Sequence, residues 1–313
     1  MMNGNVFISM NRFGYALLEE LLLRRVPISQ IYTVDPKNAT NISDYEDFHP
    51  LAKKNNIPIQ SVKHIADVKK DVRRLKPPYI FVFGWSQLLD VEFLNLAQIG
   101  VIGSHPALLP KNRGRAAIPW HFIRGEKEGG ITFFYMDEGC DSGDIIAQER
   151  FRIGPNDTAT DYYRAITQRG IRVISRLAGQ LVRGKRLPAR KQNHTRATYL
   201  SKRTFADGLI DWNQSAVQID RLVRALTDPY PGAWTTYKDA TVYVDRTHVV
   251  KKETYSGTIG QVVGQTKDGM VVQTGKGLLA ITSMRGAEGS PSSHIPVGHK
   301  LGFSIVDLWL KKS

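Results

Sequence analysis

Through its first half this chain alternates short apolar runs with longer amphipathic stretches, and few folds accommodate that pattern. Val6-Phe-Ile-Ser9 reads as a buried strand, and Tyr15 to Leu23 places apolar residues at helical spacing. Ser29 to Val34 is a second strand, Ser43 to Asn55 a helix, Ile57 to Gln60 a short edge strand, and Ile65 to Leu75 a basic amphipathic helix. Tyr79-Ile-Phe-Val-Phe83 is a continuous apolar run, as a parallel strand covered on both faces requires, and Gly100-Val-Ile-Gly103 follows it. Strand, helix and strand repeated in this way predict an open, doubly wound sheet. In such sheets ligands collect beyond the carboxyl ends of the strands.

The pattern then changes. Ile131 to Tyr135 and Ile145 to Phe151 read as strands on either side of the turn Met136-Asp-Glu-Gly-Cys-Asp-Ser-Gly-Asp144, and Thr158 to Val182 is a long helix. Leu181 to Phe205 holds eight Lys or Arg and no acid, and is expected to connect two domains. Beyond it come one helical segment, Val217 to Leu226, and short strands with glycine turns, which predict a small β-barrel. With 313 residues, two domains are also what length favours. They are placed at 1–190 and 191–313.

A single cysteine excludes an internal disulfide and a thiolate-rich metal site. No apolar run approaches the roughly 20 residues of a membrane span. The first residues lack a charged leader followed by an apolar core, so a cytoplasmic protein without a membrane partner is expected. The net charge of +14 calls for an anionic partner, with RNA, a membrane surface and a nucleotide-linked small molecule all open on charge alone. Histidine and carboxylate spacing suited to zinc is absent, as are the glycine-rich phosphate signatures.

Two loops carry the candidates for chemistry. His105 follows a strand, where an imidazole can reach the ligand crevice, and Asp141 in the acidic turn is a carboxylate able to orient and charge it. The loop after His105 is stiffened by prolines and carries Lys111, Arg113 and Arg115, which suit a substrate phosphate.

The segment Gly100 to Gln148 resembles the 10-formyltetrahydrofolate-dependent formyltransferases. The likeness rests on His105-Pro-Ala-Leu-Leu-Pro-Lys-Asn-Arg-Gly114 and on Met136-Asp-Glu-Gly-Cys-Asp-Ser-Gly-Asp144, two separated motifs at suitable spacing. Gly208-Leu-Ile-Asp-Trp212 and Asp228-Pro-Tyr-Pro-Gly-Ala233 are similar to motifs of that family's second domain. The resemblance implies a Rossmann-like α/β catalytic domain followed by a small OB-like β-barrel. It also implies transfer of a formyl group from 10-formyltetrahydrofolate to a primary amine without a metal, with His105 and Asp141 as the catalytic pair. The folate would lie against Trp85, Leu88, Met136, Glu138, Gly139 and Cys140.

One departure stands inside the motif. The family's Asn, two residues before the His, is replaced by Gly103. Loss of an oxyanion donor costs about 10²–10³ in rate. Ser86, Gln87 or Ser104 could supply another donor, His105 alone could serve a slower enzyme, or the protein could bind folate or nucleotide without catalysis. An intact His105 and acidic turn favour a working enzyme.

The amine acceptor is read as a nucleotide-linked amino sugar. Arg113-Gly-Arg115 with Pro119-Trp120 is more similar to the sugar enzymes. The segment Asp35 to Asp47, where tRNA enzymes carry a basic insertion, holds four acids and one lysine. Trp120 and Tyr199 offer aromatic faces, and Arg203 closes the basic connection. That connection is what keeps methionyl-tRNA open as the acceptor. An RNA-binding accessory protein is disfavoured, because the barrel strands lack regular stacking aromatics. A homodimer through the second domain is expected.

Overall fold

The computed structural model describes residues 4–302 except 40–41, 86, 239, 253, 268 and 288–294. Two compact units emerge, one of residues 1–117, 127–154 and 161–202, the other of residues 118–126, 155–160 and 203–313.

The first unit is built on a seven-stranded sheet. Its strands are β1 (Asn5–Ile8), β2 (Ile28–Thr33), β3 (Ile59–Ser61), β4 (Tyr79–Val82), β5 (Gly100–His105), β7 (Glu128–Tyr135) and β8 (Ile145–Arg152), in the order β3-β2-β1-β4-β5-β7-β8. The ladders from β3 to β5 are parallel, and β7 and β8 add an antiparallel edge. A small separate ladder joins β6 (Arg113–Gly114) to β9 (Tyr199–Leu200).

β1 and β4 are buried at every position, as their unbroken apolar runs require. Val6, Ile8, Ile80, Val82 and Val101 line one face beneath Ile65, Val68, Val72 and Phe93. An aromatic run of Phe7, Phe81, Phe83 and Phe133 is packed ring to ring. Each fully buried side chain of this kind contributes about 1.5–3 kcal/mol. These cores orient β5, whose alternation puts Val101, Gly103 and His105 on one face and Ile102 and Ser104 on the other.

Helix α1 (Arg12–Leu23) starts where Asn11 accepts a hydrogen bond from the Gly14 N–H at 3.0 Å. The glycine-poor turn before it therefore caps its own helix. The helix expected from Ser43 shortens to α2 (His49–Lys54). Asp44 is held in a turn instead: its carbonyl accepts from Arg12 N–H at 2.9 Å, and its carboxylate from Asn11 Nδ2 at 2.9 Å and Tyr163 Oη at 2.8 Å. The remaining helices are α3 (Lys69–Leu75), α4 (Val91–Leu94), α5 (Ala117–Ile123) and α6 (Ala159–Val182).

The last segment of the first unit runs to Lys202. The basic stretch up to that point is used to tie the chain to the first unit. Arg186 donates to the Ile99 carbonyl at 2.6 Å and lies 4.4 Å from the Tyr135 ring centre. Arg190 exchanges backbone hydrogen bonds with Ile145 and donates to Gln148 Oε1 at 2.8 Å.

The second unit packs α7 (Ala216–Ala225) with β10 (Ala233–Tyr237), β11 (Ala240–Val250), β12 (Val262–Thr266), β13 (Gly269–Gln273) and β14 (Leu278–Gly286). Ser215 and Gln218 form a reciprocal cap at the start of α7. The sheet is antiparallel throughout, in the order β10-β11-β14-β13-β12, and among the described residues no ladder joins its two outer strands.

Candidate active site

β5 ends on His105 rather than before it, so the imidazole is set by the strand itself. The ring is 5% exposed. Its Nε2 lies 2.6 Å from the carbonyl oxygen of Asn112, and a carbonyl can only accept, so Nε2 carries the proton. Nδ1 faces Asp141 Oδ2 at 3.4 Å. That carboxylate oxygen is fixed by the Gly114 N–H, which donates to it at 2.8 Å. A second proton arriving on the ring would therefore sit beside a held carboxylate, which is the arrangement a proton-moving histidine needs.

The loop from Pro106 to Asn112 is anchored along its length. Tyr162 Oη donates to the Pro106 carbonyl at 2.9 Å, Thr132 Oγ1 to that of Ala107 at 2.6 Å, and Gln148 Nε2 to that of Leu109 at 2.7 Å. Asn112, with φ of 59°, donates its N–H to Thr198 Oγ1 at 2.8 Å. The sequence offers no signal for these partners, because Tyr162, Thr132 and Gln148 belong to no motif.

The acidic turn folds back over the face of β5 that carries His105. Its first residue, Met136, donates its N–H to the Val101 carbonyl at 2.8 Å and packs with Trp85 against the Val82–Val101 cluster. Within the turn Asp137 accepts from Ser142 Oγ at 2.6 Å and from the Gly139 N–H at 3.2 Å. Glu138, Gly139 and Cys140 are exposed. Desolvation and the neighbouring Asp141 push the Cys140 thiol above its ordinary value, against the pull of Arg113 and Arg115. Leu88 is 90% exposed, an unusual position for so apolar a side chain. The Trp85 indole N–H is buried without a hydrogen-bond partner among the described residues.

Gly103 sits on the same face as His105, and the space beside it is taken. A Cβ there would lie 2.8 Å from Met136 Cγ, 3.0 Å from Met136 Sδ and 3.3 Å from Phe134 Cζ. The thioether thus fills the room that an asparagine would use. The expected substitute donors do not converge on this point. Ser104 projects from the opposite face of β5. Gln87 is committed elsewhere, donating to the Lys63 carbonyl at 2.7 Å and accepting from the Ile65 N–H at 2.9 Å. Ser86 lies outside the described residues.

The basic residues of the loop separate. Lys111 and Arg115 are exposed. Arg113, read from sequence as a phosphate ligand, is 1% exposed and turned inward. Its guanidinium donates to Gln192 Oε1 at 2.7 Å and to Tyr199 Oη at 3.1 Å, and touches His194 Nδ1 at 3.3 Å. It also lies 5.8 Å from the centre of the Tyr199 ring, which is itself 64% exposed. In the second unit Arg203 stacks 5.1 Å from the Trp120 ring centre and donates to the Asp207 carbonyl. Burial lowers the Arg203 guanidinium below its usual value. Among the described residues no group of three or more His, Cys, Asp or Glu side chains is placed to hold a metal ion.

Comparison with known proteins identifies the family. The Formyl transferase family model matches residues 21–177, and that of the formyl transferase C-terminal domain matches residues 202–294. The methionyl-tRNA formyltransferase of Alkaliphilus oremlandii is 32% identical over 285 residues, covering 90% of this chain and 91% of the relative. That of Geobacter metallireducens is 34% identical over 237 residues, or 75% of each chain. Among solved structures, the sugar 3N-formyltransferase WlaRD, in the presence of dTDP and 5-N-formyl-tetrahydrofolate, superposes with a TM-score of 0.65 at 18% identity, over 90% of this chain and 98% of that one. HypX from Aquifex aeolicus gives a TM-score of 0.65 at 20% identity over 91% of this chain and 45% of that one. By both its domains and its full-length relatives, this chain belongs to the formyltransferase family.

Proposed function

We propose that this enzyme transfers the formyl group of 10-formyltetrahydrofolate to the primary amine of a nucleotide-linked amino sugar. The observation that carries the choice of acceptor is the segment 35–47. It holds four acids and one lysine, and Asp44 ties it to the start of α1 and to α6. A negatively charged segment held in place opposes the approach of a polyanionic acceptor stem, whereas a nucleotide sugar needs only one cluster of cations for its phosphates. Lys111 and Arg115, exposed next to the catalytic loop, supply such a cluster. The solved structure of a Helicobacter canadensis N-formyltransferase with folinic acid and dTDP-3-aminofucose, similar in fold at a TM-score of 0.64 and 18% identity, agrees with this reading.

In the proposed reaction the ammonium gives up one proton, the freed amine nitrogen bonds to the formyl carbon, and its second proton passes to the folate nitrogen as the bond from that nitrogen to the formyl carbon breaks. His105 and Asp141 handle the proton. With Gly103 in place of the family's Asn, the oxyanion relies on His105. The ring must then exchange its Nε2 contact with the Asn112 carbonyl for the substrate. The folate is assigned to the surface around Trp85, Leu88 and Met136 and to the exposed backbone of Glu138–Cys140. The indole N–H, without a partner among the described residues, and the exposed Leu88 fit a flat heteroaromatic ligand with a carbonyl acceptor.

A second reading, methionyl-tRNA as acceptor, is favoured by the relatives at 32–34% identity. An acceptor panel separates the two. The protein is incubated with 10-formyltetrahydrofolate and either nucleotide-linked 3-amino and 4-amino sugars or charged initiator tRNA, and products are read by mass. A sugar nucleotide heavier by one carbonyl is the expected result. Formylated methionyl-tRNA with untouched sugars would overturn the proposal.

A further inference from the structure

Gln192 lies in the basic stretch, far in sequence from either motif, yet it is buried beside Asp141. It is 5% exposed. Its Nε2 donates to the Asp141 carbonyl at 2.9 Å and to the Gly143 carbonyl at 2.7 Å, using both amide protons on the acidic turn. Its Oε1 accepts from Arg113 Nη2 at 2.7 Å, which leaves no choice of amide orientation, since the guanidinium only donates. Arg113 in turn is continuous with Gly114, whose N–H grips Asp141 Oδ2 at 2.8 Å. The turn needs such a hold, because Asp141 has a φ of 49°, a left-handed conformation that a non-glycine residue keeps only when its surroundings enforce it.

We infer that Gln192 is a positioning residue for the transfer reaction: oriented by the buried Arg113, it clamps the Asp141 turn from the backbone side so that the carboxylate stays against His105. The inference rests on His105 and Asp141 being the catalytic pair. It also assigns Arg113 a task inside the protein, in place of a substrate phosphate. A clamp on two carbonyls acts on geometry alone, so its loss should slow the chemical step more than it weakens folate binding, which uses the same turn. A displacement of about 1 Å at a reacting group can cost on the order of 10²-fold.

The test uses the full chain and compares Gln192→Met, Asp141→Ala and the double variant, with the amine that the acceptor panel identifies. Gln192→Met keeps the volume and removes both donors. The expected result is a kcat lower by about tenfold or more, with a smaller change in the folate KM. Exchange of the Gly114 amide hydrogen, which needs no acceptor substrate, should be faster. In the Asp141→Ala background the same substitution should add no further loss, as groups acting through one another are not additive. A wild-type kcat for Gln192→Met, unchanged Gly114 exchange, or an equal further loss in the Asp141→Ala background would overturn the inference. If Gln192→Met does not fold, Arg113→Met/Gln192→Met removes donor and acceptor together, and the same outcomes are read from it. Full activity in Asp141→Ala would remove the catalytic pair itself. An inactive Asp141→Ala beside a fully active Gln192→Met would remove the clamp alone.

Discussion

The loop from Gly103 to Arg115 and the segment from Asp35 to Asp47 are both conspicuous for charge, and they use it differently. In the first, the charge divides. Arg113 is buried and works on the protein's own acidic turn, while Lys111 and Arg115 stay at the surface. In the second, Asp44 turns inward to Asn11 and Tyr163, and Asp35 accepts from the Lys37 N–H that follows it. Side chains of one sign, one or two residues apart, are thus either turned into the fold or left at the surface. Position along the chain does not distinguish them. What does is whether neighbouring elements supply a buried hydrogen-bond partner, since a polar group without one is costly to bury.

The comparison is tested most sharply at the proposed catalytic pair, His105 in the first region and Asp141 in the acidic turn set against it, while the second region should hold none of the chemistry. His105→Ala and Asp141→Ala are each expected to fold normally and to lose about 10²-fold or more in kcat. Circular dichroism and steady-state assays check both, and near wild-type rates would break the assignment. A smaller effect is expected at Gly103→Asn, which restores the family's residue in a space that Met136 occupies. Overpacking of this kind costs about 1–3 kcal/mol. The substitution should lower Tm by several degrees, and Gly103→Asn/Met136→Ala should recover most of the loss. Equal melting of wild type and Gly103→Asn would show that the thioether yields freely. The smallest effect belongs to the second region. Tyr163→Phe removes the phenol that donates to Asp44, and burial together with that carboxylate holds this phenol above its ordinary value. The loss is expected to be about 1 kcal/mol by denaturant melting, with kcat unchanged. A change in kcat comparable to that of His105→Ala would mean that the acidic segment takes part in the chemistry.

Much of this was legible in one sequence. The unbroken apolar runs at Val6 and Tyr79 specify strands covered on both faces, and such strands form a wound parallel sheet. The two motifs mark His105 and Asp141 without reference to structure, because their spacing along the chain belongs to a family pattern. The helix from Ser43 was less legible, since its polar residues carry a helical pattern while Asp44 makes a better set of bonds to elements far away. The substitute donors were also misplaced: Ser104 lies next to His105 in sequence but on the other face of the strand, and Gln87 is bound to the turn at Lys63–Ile65.

By itself, then, the sequence determined the strand and helix alternation, the family and the two residues proposed for proton transfer. These follow from local periodicity and from side-chain identity at fixed spacing, which a linear chain carries in full. Only the tertiary structure decided that Arg113 faces inward, that Met136 fills the place beside Gly103, and that Gln192 reaches the acidic turn across 51 positions of sequence. Those facts depend on which distant segments share a buried volume, and hydrogen-bond satisfaction in that volume is settled only when the whole unit packs.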